Sequence, residues 1–394
     1  MKYYELWVGV RYLFARNKQK FISMISLISV LGIATGVAAL IIVIGVMAGF
    51  DYELQSKIIG TNSHIVVDKI GGLNDAAYIM DKINVLTDVS ASAPFINTQA
   101  LIMDENSRFP VVMRGILPEL EVNVTGIQDY LKKGSLDLSE NNIVVGKELA
   151  RQMFLKIGDK VNVVSLNKFS DNIFKIAGIF SSGMYDYDSG IVFVSIGSAK
   201  EFSDDPSIVN GISVKIKDVY NANKIKNKIQ QKLGFPYFTR TWMDLNKNLF
   251  NALKLEKTAM FIILTLIVMV ACLNIASSLI MLVMEKTRDI GILKTIGVSN
   301  AGIRRIFTIV GLAISSLGIT LGVLFGIFIS YLLKTYQFVN LPQDIYYIDK
   351  LPIRLETCDV LLIVLAAFCI SLIATIYPAY QAAKLNPVSA LRYE

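Results

Sequence analysis

Charge is scarce in this sequence. Only 18% of its 394 residues are Asp, Glu, Lys or Arg, too few for a soluble chain of this length. Histidine is scarcer still. His64 is the single one, it opens a strand-like HIVV, and a lone histidine there reads as structural rather than as a ligand. The three cysteines, Cys272, Cys358 and Cys369, form no CxxC and lie in or beside apolar runs, so apolar packing is favoured over metal or redox chemistry. None falls in the polar stretch 51–257, which therefore has no disulfide to support it. No GxxxxGK[ST] occurs, so the chain cannot cradle ATP phosphates in the P-loop manner. Neither a nucleophile–base pairing nor a metal-ligand cluster can be read, which leaves no catalytic residue and no metal site to name. A basic stripe with interleaved aromatics is also missing, and nucleic acid is not an expected partner.

What the chain has is apolar length. It is 53% hydrophobic, with a mean hydropathy of +0.51. Four runs, 21–50, 258–284, 304–333 and 358–380, are long enough to span, the last near the lower limit of about 20 residues. The first is too long for a signal-peptide core and should overshoot the bilayer. It follows an aromatic and basic segment, 1–20, read as an interfacial helix. Ionisable side chains are absent from the middle of all four runs, which argues against an ion-coupled carrier or proton pump.

The net charge is +7, and its placement sets an orientation. Lys and Arg crowd the N-terminal flank, the segment 285–303 and, more weakly, the tail 381–394. These parts should be cytoplasmic. With four spans both termini are then inside, and 51–257 and the loop 334–357 are outside. The large segment reads as α+β and falls in the usual domain size range. Strand-like runs appear at 64–67, 110–116, 143–145, 161–165, 173–179, 191–194 and 212–216, with helix-like patches at 75–86 and 219–233. MYDYDSG, around Asp186 and Asp188, is taken as a solvated turn. The expected fold is thus a membrane α-helical protein with four transmembrane helices and a large extracytoplasmic α+β domain between helices 1 and 2.

The segment 285–303 is the charged, Gly-punctuated link between the second and third runs. Ile290, Leu293 and Ile296 recur at a helical step, Gly297 is placed to end that helix and Ser299 to cap the next. It is either a solvated connection or a docking element that a soluble partner pushes on. Gly32 and Gly36, Gly45 and Gly49, and Gly318, Gly322 and Gly326 stand at steps of four, placing each set on one helix face where a neighbour can approach closely. In the tail Pro378 should kink or stop its helix, and Asn386-Pro387 should start a last short one.

Four stretches then carry a resemblance: FISMISLISVLGIATGVAALIIVIGVMAGF, LEKTAMFIILTLIVMVACLNI, EKTRDIGILKTIGVS and YPAYQAAKLNPVSALRYE. With the order of one span, a large domain and three spans, the chain resembles the transmembrane subunits of the lipoprotein-releasing ABC transporter, the LolC/LolE family, within the MacB/FtsX-like permease superfamily. The resemblance implies a MacB-like permease architecture in the bacterial inner membrane, with the large domain in the periplasm. It implies extraction of lipoproteins from the outer leaflet and their transfer to a periplasmic LolA-like chaperone. The partners would be a cytoplasmic LolD-like ATPase that binds ATP and Mg, a second permease subunit (a paralogue or a second copy), the lipoprotein and membrane lipid. This chain itself would hold no cofactor.

Residue by residue, the resemblance makes Glu285–Ile296 the coupling helix, with Glu285, Arg288, Asp289 and Lys294 as polar contacts to the ATPase and Ile292 and Leu293 as apolar anchors. The tail near Leu391 and Tyr393 would add to that contact. Met47, Phe50, Met260 and Ile263 would line a surface for the acyl chains. The chaperone-capturing hook would fall between 161–165 and 173–179, where Lys168 and Phe169 are available but the connection is short and has no proline. Two other functions compete: an FtsX-like relay that regulates cell-wall hydrolases without moving substrate, and a MacB-like efflux permease. The roughly 200-residue outside domain argues against the first. The lack of a fused ATPase argues against the second.

Overall fold

The computed structural model describes residues 3–14, 20–104, 107–139, 141–166, 171–336 and 350–386. Along the chain run α1 (Tyr3–Phe14), α2 (Lys20–Thr61), β1 (Ile65–Leu73), α3 (Ala76–Asn84), β2 (Val89–Asp104), β3 (Ser107–Ile116), α4 (Pro118–Val124), α5 (Ile127–Tyr130), β4 (Leu131–Gly134) and β5 (Asn142–Gly146). Then follow α6 (Lys147–Gln152), β6 (Lys160–Ser165), β7 (Asp171–Phe180), α7 (Tyr185–Gly190), β8 (Ile191–Ser195), α8 (Ile196–Phe202), β9 (Val209–Ile216), α9 (Ala222–Leu233), β10 (Tyr237–Thr241) and α10 (Trp242–Leu245). The chain ends with α11 (Lys247–Glu285), α12 (Thr287–Thr295), α13 (Asn300–Tyr336) and α14 (Thr357–Lys384). Two compact units result: Met1–Asp51, Leu253–Val339 and Leu351–Glu394 form the first, Tyr52–Ala252 and Asn340–Lys350 the second.

In the first unit, α2, α11, α13 and α14 are long and apolar enough to cross a membrane. Small residues set how they pack. A Cβ on Gly318 would meet Ile33 at 2.8 Å, one on Gly322 would meet the Ala34 carbonyl and Val37 at 2.7 Å, and one on Gly326 would meet Ile41 at 3.0 Å. The glycine step of α13 therefore receives one face of α2 directly. Gly32 backs onto the Asn274 amide of α11, and Ser29 donates to Ser278 at 2.5 Å on the same seam. Gly36 is looser, its nearest neighbour being Ile267 at 4.0 Å. Gly45 faces Leu355 and Gly49 the Pro352 backbone, so the strand-like approach to α14 runs against α2, with Arg354 N–H donating to the Gly45 carbonyl at 2.9 Å.

The N-terminal helix docks on the bundle. Helix α1 packs on α13, where buried Glu5 finds Arg305 at 3.3 Å and Tyr12 meets Phe307. A buried carboxylate needs such a partner. Pro378 does not stop its helix, since α14 continues to Lys384.

The second unit is built on a long shared strand. The first half of β2 pairs with β9, extending an open antiparallel sheet ordered β10-β1-β9-β2. Its second half pairs with β3 and β6. From there β3-β8-β5-β7-β6 returns to β2, so six strands close a ring. Closure removes the unpaired strand edges that an open sheet would expose. The main core gathers Ile65, Ile102, Met113, Phe174 and Ile212 with Ile79 and Ile229 from α3 and α9.

Every expected strand run lies on a strand, although His64 stands one residue before β1 and its Nδ1 accepts the Ile216 N–H at 3.2 Å. The long β2 carries Pro94 and the polar SAS and NTQ triplets, so its sequence hides it. MYDYDSG is not a solvated turn. It forms α7, with Asp188 buried because its carboxylate accepts from Ser182 N and Oγ at 2.8 and 2.6 Å and from Ser181 Oγ at 3.2 Å.

The last turns of α2 belong to this second unit. Ile58 is in its core, Lys57 donates to the Gly183 carbonyl at 2.9 Å, and the Gly126 N–H and Tyr187 hydroxyl donate to the carbonyls of Gly60 and Thr61. The helix end is thus held by the loop that Asp188 organises.

Candidate functional site

The charged link between the second and third spans folds as a helical hairpin corner. α11 ends at Glu285, Lys286 caps α12, and α12 closes in a Schellman-type turn. Val298 N–H reaches the Leu293 carbonyl at 3.0 Å and Gly297 N–H that of Lys294 at 3.0 Å. Gly297 takes φ +100°, a conformation that disfavours any side chain. Ser299 Oγ accepts from Gly302 N–H at 3.2 Å and caps α13. Glu285 is therefore the last residue of α11 and lies outside α12.

The apolar residues of α12 divide between two faces. Ile290 is buried and Leu293 half-buried against the bundle, whereas Ile292 is 42% and Ile296 76% exposed. Leu293 is thus an internal packing residue, and Ile296 joins Ile292 on the outer face. The inner face forms because Ile290 and Leu293 are three apart. Arg288 is exposed beside them, while Asp289 lies 3.5 Å from the buried Lys286, whose ammonium sits over the Tyr12 ring. Burial, and then Asp289, push the Tyr12 hydroxyl up to about 12.

Lys294 turns inward. It donates to the carbonyls of Ala383 at 2.6 Å and Leu385 at 2.7 Å, capping the C-terminal end of α14. Burial holds its pKa below the ordinary lysine value. The structure therefore brings Arg288, Asp289, Ile292 and Ile296 to one outward patch, and takes Lys294 and Leu293 out of it. Lys168, Phe169, Pro387 and the tail contact at Leu391 and Tyr393 lie outside the described residues.

The apolar candidates separate as well. Ile263 is exposed and lines a groove of about 500 Å³ along the α2–α11 seam, with Ala39, Val270 and Asn274. Met47, Phe50 and Met260 are half-buried. On the other side of that seam lies a cavity of about 310 Å³ between α2, α11 and α14, lined by Ile33, Leu40, Phe261, Ile275, Ile363 and Ile370. Among the described residues its hydroxyls come from Thr265 and Ser371. Sequence reasoning did not find it, because three helices far apart in the chain contribute to it.

In the second unit a buried charge pair links strand to helix. Glu121 is wholly buried, 3.6 Å from Arg114, which also donates to Ser213 at 2.9 Å and lies over the Phe95 ring. Glu121 Oε2 has no hydrogen-bond partner among the described residues, and burial pushes this carboxyl above its usual range. Burial likewise raises Asp188, against the bonds it accepts from Ser182, Gly183 and Ser181.

These features define a multi-span permease that carries a MacB-type domain. The model of the MacB-like periplasmic core domain matches residues 26–232, and that of the FtsX-like permease C-terminal region matches 261–387. The chain is 35% identical to the lipoprotein-releasing system transmembrane protein LolC of Xylella fastidiosa strain Temecula1, covering 98% of both chains. It is 34% identical to LolC of Neisseria meningitidis serogroup B over 99% of both, and 27% identical to LolE of Haemophilus influenzae over 98% of both. The periplasmic region of MacB from Actinobacillus actinomycetemcomitans aligns with 49% of this chain and 95% of its own, at 16% identity and a TM-score of 0.35. The chain belongs to the LolC/LolE family.

Proposed function

We propose that this chain is the permease subunit of an ATP-driven complex that lifts lipoproteins from the outer leaflet of the inner membrane and passes them to a periplasmic LolA-like chaperone. The observation that carries the reading is full-length similarity to lipoprotein-releasing transmembrane proteins, together with an outward patch on α12 between two spans. A separate LolD-like ATPase, holding ATP and Mg, docks on Arg288, Asp289, Ile292 and Ile296. Glu285 borders that patch at the end of α11. A second permease subunit, a paralogue or a second copy, completes the complex. Both termini and α12 are cytoplasmic, and the second unit is periplasmic, in keeping with the basic residues of the short loops.

Helices α2 and α11 each contribute residues to both units. They are the segments through which movement at α12 is passed to the periplasmic side. The apolar cavity between α2, α11 and α14 suits a lipid acyl chain, since it offers hydrocarbon and almost no polar atoms. The groove containing Ile263 extends that surface.

The test is reconstitution of the chain with its ATPase and second subunit in proteoliposomes holding a triacylated lipoprotein. ATP-dependent release to added chaperone is the expected result. ATPase stimulation with no release of lipoprotein overturns the reading in favour of an FtsX-like relay.

A further inference from the structure

A groove of about 850 Å³ opens between the C-terminal ends of α11 and α14 and the first turn of α12, within the size range of small-ligand sites. Its position at the ends of two apolar helices places it at a membrane surface, whichever way the chain is oriented. Three of its charges are arranged as two cations and one anion: Arg288, Lys384 and Glu285. Arg288 and Glu285 make no ion pair among the described residues, and Glu285 Oε2 is shielded from solvent with no hydrogen-bond donor. Such an acceptor is costly unless a ligand supplies the donor.

The groove also has an aromatic wall. Tyr377, Tyr380 and Lys384 lie three and four residues apart on one face of α14. Lys384 sits over the Tyr380 ring at 4.7 Å, and Gln381 donates to the Tyr377 hydroxyl at 2.7 Å. Both tyrosines are largely exposed, in the position where aromatic rings sit at the headgroup level.

We infer that this groove binds the headgroup of a zwitterionic aminophospholipid, with Arg288 and Lys384 taking the phosphate and Glu285 the primary ammonium. A guanidinium matches phosphate oxygens in a two-pronged fashion. The carboxylate supplies acceptors that a primary ammonium satisfies with N–H bonds and a quaternary ammonium does not. A purely anionic lipid would leave Glu285 facing like charge. The acyl chains leave along the apolar flank of α11 at Met284. This inference goes beyond the transport reading; Arg288 is common to the groove and the proposed docking patch, whereas Ile292 and Ile296 lie outside the groove and report on docking alone.

The test uses the full chain in detergent, with native mass spectrometry after titration with phosphatidylethanolamine, phosphatidylcholine or phosphatidylglycerol. The expected preference for the ethanolamine lipid over the choline lipid is about tenfold, the worth of one charge-assisted hydrogen bond. Glu285→Gln should erase that preference while phospholipid still binds. Lys384→Gln should weaken both lipids alike. Equal binding of all three lipids by the unaltered chain overturns the proposal, as does a preference that survives Glu285→Gln. Displacement by free phosphoethanolamine as effectively as by the lipid also overturns it, because the site would then serve a soluble metabolite. Capture of the ATPase, measured separately on Ile296→Asp, reports on the docking reading alone.

Discussion

The Lys294 ammonium lies 2.6 Å from the Ala383 carbonyl oxygen. A residue that the family resemblance assigns to docking thereby ties α12 to the end of α14, and its role becomes one of positioning. Lys294→Met should loosen α12 by about 1–2 kcal/mol, the worth of a hydrogen bond to a charged group with some screening. Faster hydrogen exchange of the amides of Ile290 and Leu293 would register it.

Arg288→Glu and Ile296→Asp act differently. Both side chains are exposed, so thermal stability should change by no more than about 0.5 kcal/mol. Capture of the ATPase in pull-down should nevertheless fall sharply. Unchanged capture by both variants would remove the outward patch of α12 from the docking assignment.

The contact of α13 with α2 makes a graded prediction. At Gly322 an added Cβ would stand 2.7 Å from the Ala34 carbonyl, whereas at Gly36 the nearest atom, Ile267 Cγ2, stands 4.0 Å away. Gly322→Ala should cost about 1–3 kcal/mol through overpacking, and Gly36→Ala almost nothing. Melting of the two variants in detergent checks the difference.

Asp188 holds the loop that grips the end of α2. Its removal leaves Ser182 N–H, a buried donor, without its acceptor. Asp188→Ala should lower the stability of the second unit by about 1–3 kcal/mol. Protease cleavage near Gly183 should speed up in the variant.

The same unit should show a defined pH response. Glu121 and Asp188 have folded pKa values raised above their ordinary 4.5 and 3.8. Between the ordinary and the folded values the native state binds more protons than the unfolded state. Stability is therefore fully favoured below the ordinary values and declines as pH rises through the folded ones. Glu121→Gln should flatten part of that decline. Trp242, buried in the second unit, offers the fluorescence signal; a slope identical in the two proteins would show that Glu121 is not responsible.

Much of the fold could be read before any coordinates. The four spans are long apolar runs, and the strands Ile143–Val145 and Ile212–Ile216 are short ones with β-branched side chains, so each declares itself within a few residues. Gly297 and Ser299 likewise marked the corner by chemistry that acts over a single turn. β2 escaped notice because Pro94 and its polar triplets break the pattern, and its pairing with β9 along its first half and with β3 and β6 along its second is what makes it a strand. The site was less legible. Of the residues the resemblance assigns to docking, Arg288 and Ile292 are exposed, whereas Lys294 is bonded to the end of α14 and Leu293 packs on the bundle, and the Tyr377–Lys384 face was not seen.

On its own the amino-acid sequence determined that this protein has four apolar runs long enough to cross a membrane, carries an α+β segment, and shares the motifs of its family. Those properties rest on hydrophobicity and period, which neighbouring residues set together. Only the tertiary structure decided which face of α12 looks outward, where Lys294 is consumed, how six strands close a ring, and that Glu285 shares a groove with Lys384. Each depends on groups far apart in the chain, such as Lys294 and Ala383 at a sequence separation of 89, and no local pattern encodes a distance of that kind.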